Sequence, residues 1–169
     1  MKAKSPEFSK TIMTEIVLPN DTNTLGNLRG GRILHWMDIA SAICAGKHAG
    51  KTVVTAAVDN VSFENPIHLG DVLTITATVT RAFSTSMEIF IEVWAENIPT
   101  AHKYKCNEAF YTFVALNDKR KPIKVPALKP VTKIEKLRFE KALRRREFRL
   151  ILAGRMKPQN AEELKALFS

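Results

Sequence analysis

The chain predicts an α+β fold in which one helix is wrapped by a long antiparallel sheet. Three observations predict it. Residues 30–48 are apolar on most sides of a helix. Residues 72–81 and 87–96 alternate between apolar and polar side chains. The order of elements is strand, helix, about four antiparallel strands and then helices, which suits a layered α+β design.

Taken in order, Thr11–Leu18 reads as a strand closed by Pro19. The helix opens near Gly30 and runs to about His48, with Ala49-Gly50 as its end and Lys47 and His48 suited to its negative pole. Its residues Ile33, Leu34, Trp36, Met37, Ile39, Ala40, Ala42, Ile43 and Ala45 call for cover from other structure. Residues 52–64 form a Val/Thr/Ala-rich strand, and Asn65-Pro66 and Gly70-Asp71 punctuate the turn after it. In 72–81, Leu73, Ile75, Ala77 and Val79 face one way and the threonines the other, a half-buried antiparallel strand. In the next strand Met87, Ile89, Ile91, Val93 and Ala95 oppose Glu88, Glu92 and Glu96, and residues 106–116 make the last strand. Thr132 and Glu135 form a capping box for a helix ending at Gly154, and Asn160/Glu163 resembles a second box before a short final helix. A sheet this large for one helix invites a second copy to cover its edge.

The 169 residues suit one ordinary domain, and their 45% hydrophobic and 25% charged content is that of a globular protein. No stretch approaches a membrane span, and no apolar block follows the first lysines, so a cytoplasmic protein without membrane association is expected. Cys44 and Cys106 stand apart and read as reduced, partly buried thiols. The net charge of +9 is uneven: residues 1–128 hold 14 Lys/Arg against 12 Asp/Glu, and residues 129–169 hold 12 against 5. The tail mixes acids among its bases and has few aromatics, so no nucleic acid is expected, and Arg144-Arg145-Arg146 reads as a solvated helix face. No His/Cys cluster has metal-ligand spacing.

The most informative segment runs from Pro19 to Asp38. A polar, Gly-rich loop opens into the apolar helix, and Asp38 is the only acid between Asp21 and Asp59. An unpaired carboxylate on such a helix is costly to bury and calls for a reason.

The pattern Asp21-Thr22-Asn23-x-x-Gly26-x-x-x-Gly30-Gly31, followed by Met37-Asp38, resembles the signature of hotdog-fold acyl-CoA thioesterases. The resemblance is to the small bacterial acyl-CoA hydrolases and the related repeats of cytosolic long-chain enzymes. Phe63-x-x-Pro66-Ile-x-x-Gly70-Asp71, Ser84-Thr85-Ser86, Val93-Trp94 and Ala109-x-x-Thr112-Phe113-Val114-Ala115 extend it across a hotdog domain at residues 8–130. The basic helical extension 131–169 lies outside it. The resemblance implies hydrolysis of acyl-CoA to CoA and a carboxylic acid, as in fatty acid metabolism, with CoA as part of the substrate and no separate cofactor. It implies a homodimer, assembled further as a trimer of dimers. It implies that Asp38 and Asn23 divide the catalytic work and that the Ser84-Thr85-Ser86 turn lies near the CoA path.

The residues fit that chemistry. A helix start offers free N–H groups to a developing oxyanion, and Gly30 and Gly31 let a carbonyl approach them, which assigns the donor to the backbone near Gly31. Asp38 would serve as general base on water or as direct nucleophile, and Asn23 would hold the water or carbonyl. Arg29 and Arg32 are candidates for the CoA phosphates. Gly31 and Asp38 are seven residues apart, about 10 Å along a helix. One substrate therefore draws on two chains, Gly31 and Asn23 from one and Asp38 from the other. Blander readings stand beside these: Asn23 as a turn residue, Gly30-Gly31 as a tight helix entry, Arg29 and Arg32 as solvated surface, Ser84-Thr85-Ser86 as a plain hairpin, His35 as structural and His48 as a helix-end residue. The alternatives in function are a hydroxyacyl-thioester dehydratase or hydratase, for which only His35 could pair with the acid, and a non-catalytic acyl-CoA binder.

Overall fold

The computed structural model describes residues 1–167. These fall into two compact units, residues 1–129 and residues 130 onward.

In the first unit, helix α1 (Pro6–Ser9) and strand β1 (Thr11–Ile16) lead through a 3-10 turn at Pro19–Asp21 to helix α2 (Gly30–Ala49). Strands β2 (Thr52–Phe63), β3 (Val72–Ala82), β4 (Ser86–Asn97) and β5 (His102–Leu116) follow. All five strands join one antiparallel sheet in the order β1-β3-β4-β5-β2, so β1 and β2 are its edges.

The alternation at β3 and β4 builds the core. The register sets Ile75 beside Val93, Ala77 beside Ile91 and Val79 beside Ile89, and all six are fully buried. Ile33, Trp36, Met37, Ala40, Cys44 and Ala45 of α2 are buried as well. The helix is not enclosed all round, as its composition suggests. Leu34, Asp38, Ile39 and Ala42 are half-buried and Ile43 is exposed, so one stripe of α2 lies open in the single chain.

Several expectations are corrected by the pairing. Strand β5 starts at His102 rather than 106. Asn97 pairs with His102 around a turn at Ile98–Thr100, and at that exposed hairpin tip backbone pairing, not burial, defines the strand. β1 stops at Ile16 because Pro19 opens the 3-10 turn. Glu88 has the parity expected of it yet is buried, with the Thr80 hydroxyl donating to its carboxylate at 2.6 Å. Alternation fixes which face a side chain takes, not whether that face meets water. The cysteines are fully buried free thiols, not partly buried ones. Burial pushes Cys44 up to about 11 and Cys106 up to about 12.

The end of α2 also differs. Gly50 takes the left-handed conformation at φ 65° that closes the helix. His48 is buried, with a ring nitrogen 2.9 Å from the Pro126 carbonyl. Burial holds its pKa below the ordinary histidine value, so it brings no charge to the helix end at neutral pH. Besides Lys47 in the last turn, Lys4 brings a cation there, its Nζ donating to the carbonyls of His48 at 2.7 Å and Lys47 at 3.2 Å.

In the second unit, α3 (Lys133–Leu152) begins with the expected box. The Glu135 N–H donates to Thr132 Oγ1 at 3.2 Å, and Glu135 Oε2 accepts the Thr132 N–H at 2.8 Å. The Asn160/Glu163 box does not form. Pro158–Asn160 is a 3-10 turn and Ala161 breaks the helical path before α4 (Glu162–Lys165), where the Leu164 N–H bonds Glu147 Oε2 at 2.9 Å instead. Arg144, Arg145 and Arg146 are half-buried rather than a solvated face. No described helix is long and apolar enough to cross a membrane.

Candidate active site

The loop ahead of α2 is built around Asn23. Its Oδ1 accepts the N–H groups of Leu25 at 2.9 Å and Asn27 at 3.2 Å, and its own N–H donates to the Asn27 carbonyl at 2.8 Å. Gly26 completes the turn at φ 75°. The turn reading of Asn23 therefore holds, and it uses only the oxygen. Among the described residues no hydrogen bond engages the Asn23 amide nitrogen, and the residue lines a cavity of about 260 Å³ with Ile33, Phe63 and Asn107.

The first N–H groups of α2 are open. Arg29 occupies the N-cap without a side-chain cap bond. The earliest bonds of the helix run from the N–H groups of Arg32 and Ile33 to the Arg29 carbonyl, at 2.9 and 3.2 Å. The Gly30 and Gly31 N–H groups have no such partner among the described residues. A methyl group at Gly31 would meet nothing within 4 Å, and one at Gly30 would touch the Phe63 ring at 3.5 Å. Packing within the chain thus does not demand glycine at 31. Close approach of a carbonyl to the backbone would.

Gly31 lines an open cavity of about 500 Å³ with Arg29, Arg32 and His35. Both arginines already brace the loop. Arg29 Nη2 donates to the Asn20 carbonyl at 2.6 Å, and Arg32 Nε lies 2.8 Å from buried Asp21 with its guanidinium 4.9 Å over the Trp36 ring. His35 is exposed and makes no hydrogen bond to Asp38 among those described.

Asp38 is half-buried and has a partner, which the sequence reading missed. The Thr55 hydroxyl on β2 donates to Asp38 Oδ1 at 2.8 Å. A shift in the β2–β5 register falls between Thr55 and Ala57, a bulge of the kind that re-aims a side chain. The phenol of buried Tyr111 on β5 is pushed up to about 12, first by burial and then by the charge of Asp38. One signal was present, a hydroxyl residue on the strand after the acid, but in a strand so rich in threonine and valine it does not stand out.

The structure does not bring every predicted residue together. Asp38 with Thr55 lies about 10 Å along α2 from Gly31 and lines neither cavity described above. The Ser84-Thr85-Ser86 hairpin lies two strands across the sheet from Thr55, since Ser86 and Val54 both pair with Val114. Its carbonyls accept from Val125, Ala115 and Phe83, in that order, at 3.1, 3.0 and 2.8 Å. Among the described residues no His/Cys/Asp/Glu group is arranged to hold a metal ion.

Comparison with known proteins follows this geometry. The thioesterase superfamily pattern matches residues 25–102. An acyl-CoA thioester hydrolase of Bacillus subtilis, YkhA, itself uncharacterized, is 35% identical over 137 residues, covering 81% of this chain and 80% of that protein. Acyl-coenzyme A thioesterase 11 of Mus musculus is 37% identical over 145 residues, and the chain spans only 24% of its length. Among solved structures, an apo-hexameric acyl-CoA thioesterase superposes with TM-score 0.88 at 39% identity, covering 90% of this chain and 98% of that one. The acyl-CoA hydrolase of Staphylococcus aureus, in complex with butyryl coenzyme A, coenzyme A and coenzyme A disulfide, superposes with TM-score 0.83 at 35% identity, covering 90% and 94%. These relatives and solved structures are of one kind, and the chain belongs to the thioesterase superfamily and has the hotdog fold.

Proposed function

We propose that the protein hydrolyses acyl-CoA to free CoA and a carboxylic acid, at a site shared by two copies across a two-fold axis. The substrate class is supported by its relatives, acyl-CoA thioesterases and hydrolases, among them a hydrolase solved with butyryl coenzyme A. The single observation that carries the shared site is the separation of the two half-sites on α2. Gly31 and the Asn23 loop stand at its start, and Asp38 stands two turns on against Thr55. The open stripe of α2 and the unpaired edge of β2 support a second copy docked there. A hexameric relative supports further assembly as a trimer of dimers.

In this mechanism the thioester oxygen accepts the Gly31 N–H, with Gly30 beside it, at the positive end of α2. Asp38 of the other copy takes a proton from water, and the water oxygen attacks the carbonyl carbon. Thr55 holds Asp38 in one orientation. The Asn23 amide nitrogen donates to the water or to the developing oxyanion. Collapse of the tetrahedral intermediate breaks the carbon–sulfur bond and releases CoA as its thiolate, which takes up a proton. Water is the only co-reactant. Arg29, Arg32 and the Ser84-Thr85-Ser86 turn are proposed for the CoA phosphates and pantetheine. A cytoplasmic setting belongs to the same reading, supported by two buried thiols left unpaired.

The test is complementation. Asp38→Ala and Asn23→Ala subunits, each strongly impaired in a thiol-release assay on acyl-CoA, should together exceed the rate of either alone when mixed, because mixed dimers hold one intact site. Verified mixed dimers without activity would refute the shared site.

A further inference from the structure

The Asn23 loop does not stand alone. It rests on the segment between β2 and β3, and that segment is held by one buried carboxylate. The Leu28 N–H donates to the Ile67 carbonyl at 2.7 Å and the Leu69 N–H to the Gly26 carbonyl at 3.2 Å. Asn27 and His68 form an isolated antiparallel bridge between the two loops. Asn65, Pro66, His68 and Leu69 are exposed, and only Ile67 is buried. Hydrophobic packing therefore gives this segment one anchor.

The second anchor is polar. Asp71 is 1% exposed. Its Oδ2 accepts the Tyr104 hydroxyl at 2.6 Å and the His68 N–H at 2.9 Å, and its Oδ1 accepts the Asn97 amide at 3.2 Å. Tyr104 Oη also lies 3.2 Å from the Pro66 carbonyl. One phenol on β5 thus reaches both ends of the 66–71 segment. These groups border an open cavity of about 580 Å³, lined also by Asn65, Thr100 and His102. With open space on that side, the hydroxyl restrains where apolar contact does not.

We infer that Tyr104 is a positioning residue for Asn23: its hydroxyl, through Asp71 and the 66–69 backbone, fixes where the Asn23 amide stands. The inference rests on the reading of Asn23 as a group that touches substrate. Each link is a hydrogen bond, from Tyr104 to Asp71, from Asp71 to the His68 backbone, and from residues 67–69 to residues 26–28, whose Asn27 carbonyl accepts the Asn23 N–H. Burial opposes a charge on Asp71, but the Tyr104, His68 and Asn97 donors outweigh it and hold its carboxyl below the usual range, so the carboxylate is charged when it grips the loop. The ring of Tyr104 stacks on His102 with centroids 5.4 Å apart. A phenylalanine keeps that stack and removes only the grip.

The experiment compares Tyr104→Phe, Asn23→Ala and the double variant in the full chain, by thiol release from an acyl-CoA and by thermal melting. Tyr104→Phe should lower kcat roughly 5- to 20-fold with KM within about twofold of native, since it shifts a group that acts after binding. In the Asn23→Ala background the same change should cost less than about twofold, because the group it positions is gone. An equal loss in both backgrounds overturns the inference, as does a fully active Tyr104→Phe beside an impaired Asn23→Ala. An unimpaired Asn23→Ala overturns the catalytic reading of Asn23 and the inference with it. Should Tyr104→Phe fail to fold, Asp71→Asn, which keeps the shape of the clamp and removes its charge, must show the same non-additive loss, and additivity there overturns the inference.

Discussion

The Thr55 hydroxyl donates to the Asp38 carboxylate across 2.8 Å, from the edge strand to the central helix. This bond leaves the second carboxylate oxygen open for the proton transfer from water proposed above. It also ties Asp38 to the strand against which a second copy is proposed to dock.

Thr55→Val removes the donor and keeps the shape. A hydrogen bond to a charged group matters by about 1.5–3 kcal/mol, so kcat should fall roughly 10- to 100-fold. Thr55→Ser should retain most of the rate. Steady-state kinetics on one acyl-CoA decides it, and a Thr55→Val enzyme at native kcat would remove Thr55 from the mechanism.

Gly31→Ala should separate activity from stability. An added methyl meets no atom within 4 Å in the chain, and alanine suits a helix better than glycine by about 1 kcal/mol. The melting temperature should hold or rise while kcat drops, because the methyl stands where a carbonyl must approach. Parallel loss of both would mean that Gly31 serves folding.

Val58→Lys tests the open edge. Val54 and Val58 on β2 are 43% and 44% exposed, and β5 is the strand's one partner in the sheet. A lysine at an edge opposes strand pairing. Sedimentation should show smaller species, and thiol release should fall with them. Native assembly in the variant would move the interface elsewhere.

His48 predicts a pH dependence of stability. Its folded pKa lies below the ordinary value near 6.5. As pH falls through that value the unfolded chain takes up a proton that the folded chain does not. Stability should therefore be unaffected above pH 7 and decline below about 6.5, with a slope of at most about 1.4 kcal/mol per pH unit. His48→Gln should flatten that part of the curve. Urea unfolding at pH 7.5 and 5.5 supplies the comparison.

The sequence made some of this legible for clear reasons. Leu73, Ile75, Ala77 and Val79 alternate with threonines because one face of β3 is the core, so the pattern and the burial coincide. Asp38 stood out as a lone acid on an apolar helix, and Gly30-Gly31 as an unobstructed helix entry. What escaped depended on partners distant along the chain. Thr55 meets Asp38 across 17 positions, and Tyr104 meets Asp71 across 33. Neither spacing belongs to a helix or strand period. Glu88 was read as facing away from the core, yet its burial depends on what covers that face, which alternation does not record. His48 reads as a helix-end residue because its position along the helix says nothing of its burial or of the Pro126 carbonyl that meets its ring.

An edge proposed to receive one neighbour is open to others as well. From Thr52 to Val58, β2 contains no proline and no charge, only Thr, Val and Ala, and Asp59 is its first acid. Those are the residues with which strands nucleate aggregates. Under the pairing proposed above, each newly made chain exposes a template for misassembly until a second copy covers it. Folding would then be a race between two second-order events, correct pairing and clumping, and yield should depend on how soon after synthesis two chains meet.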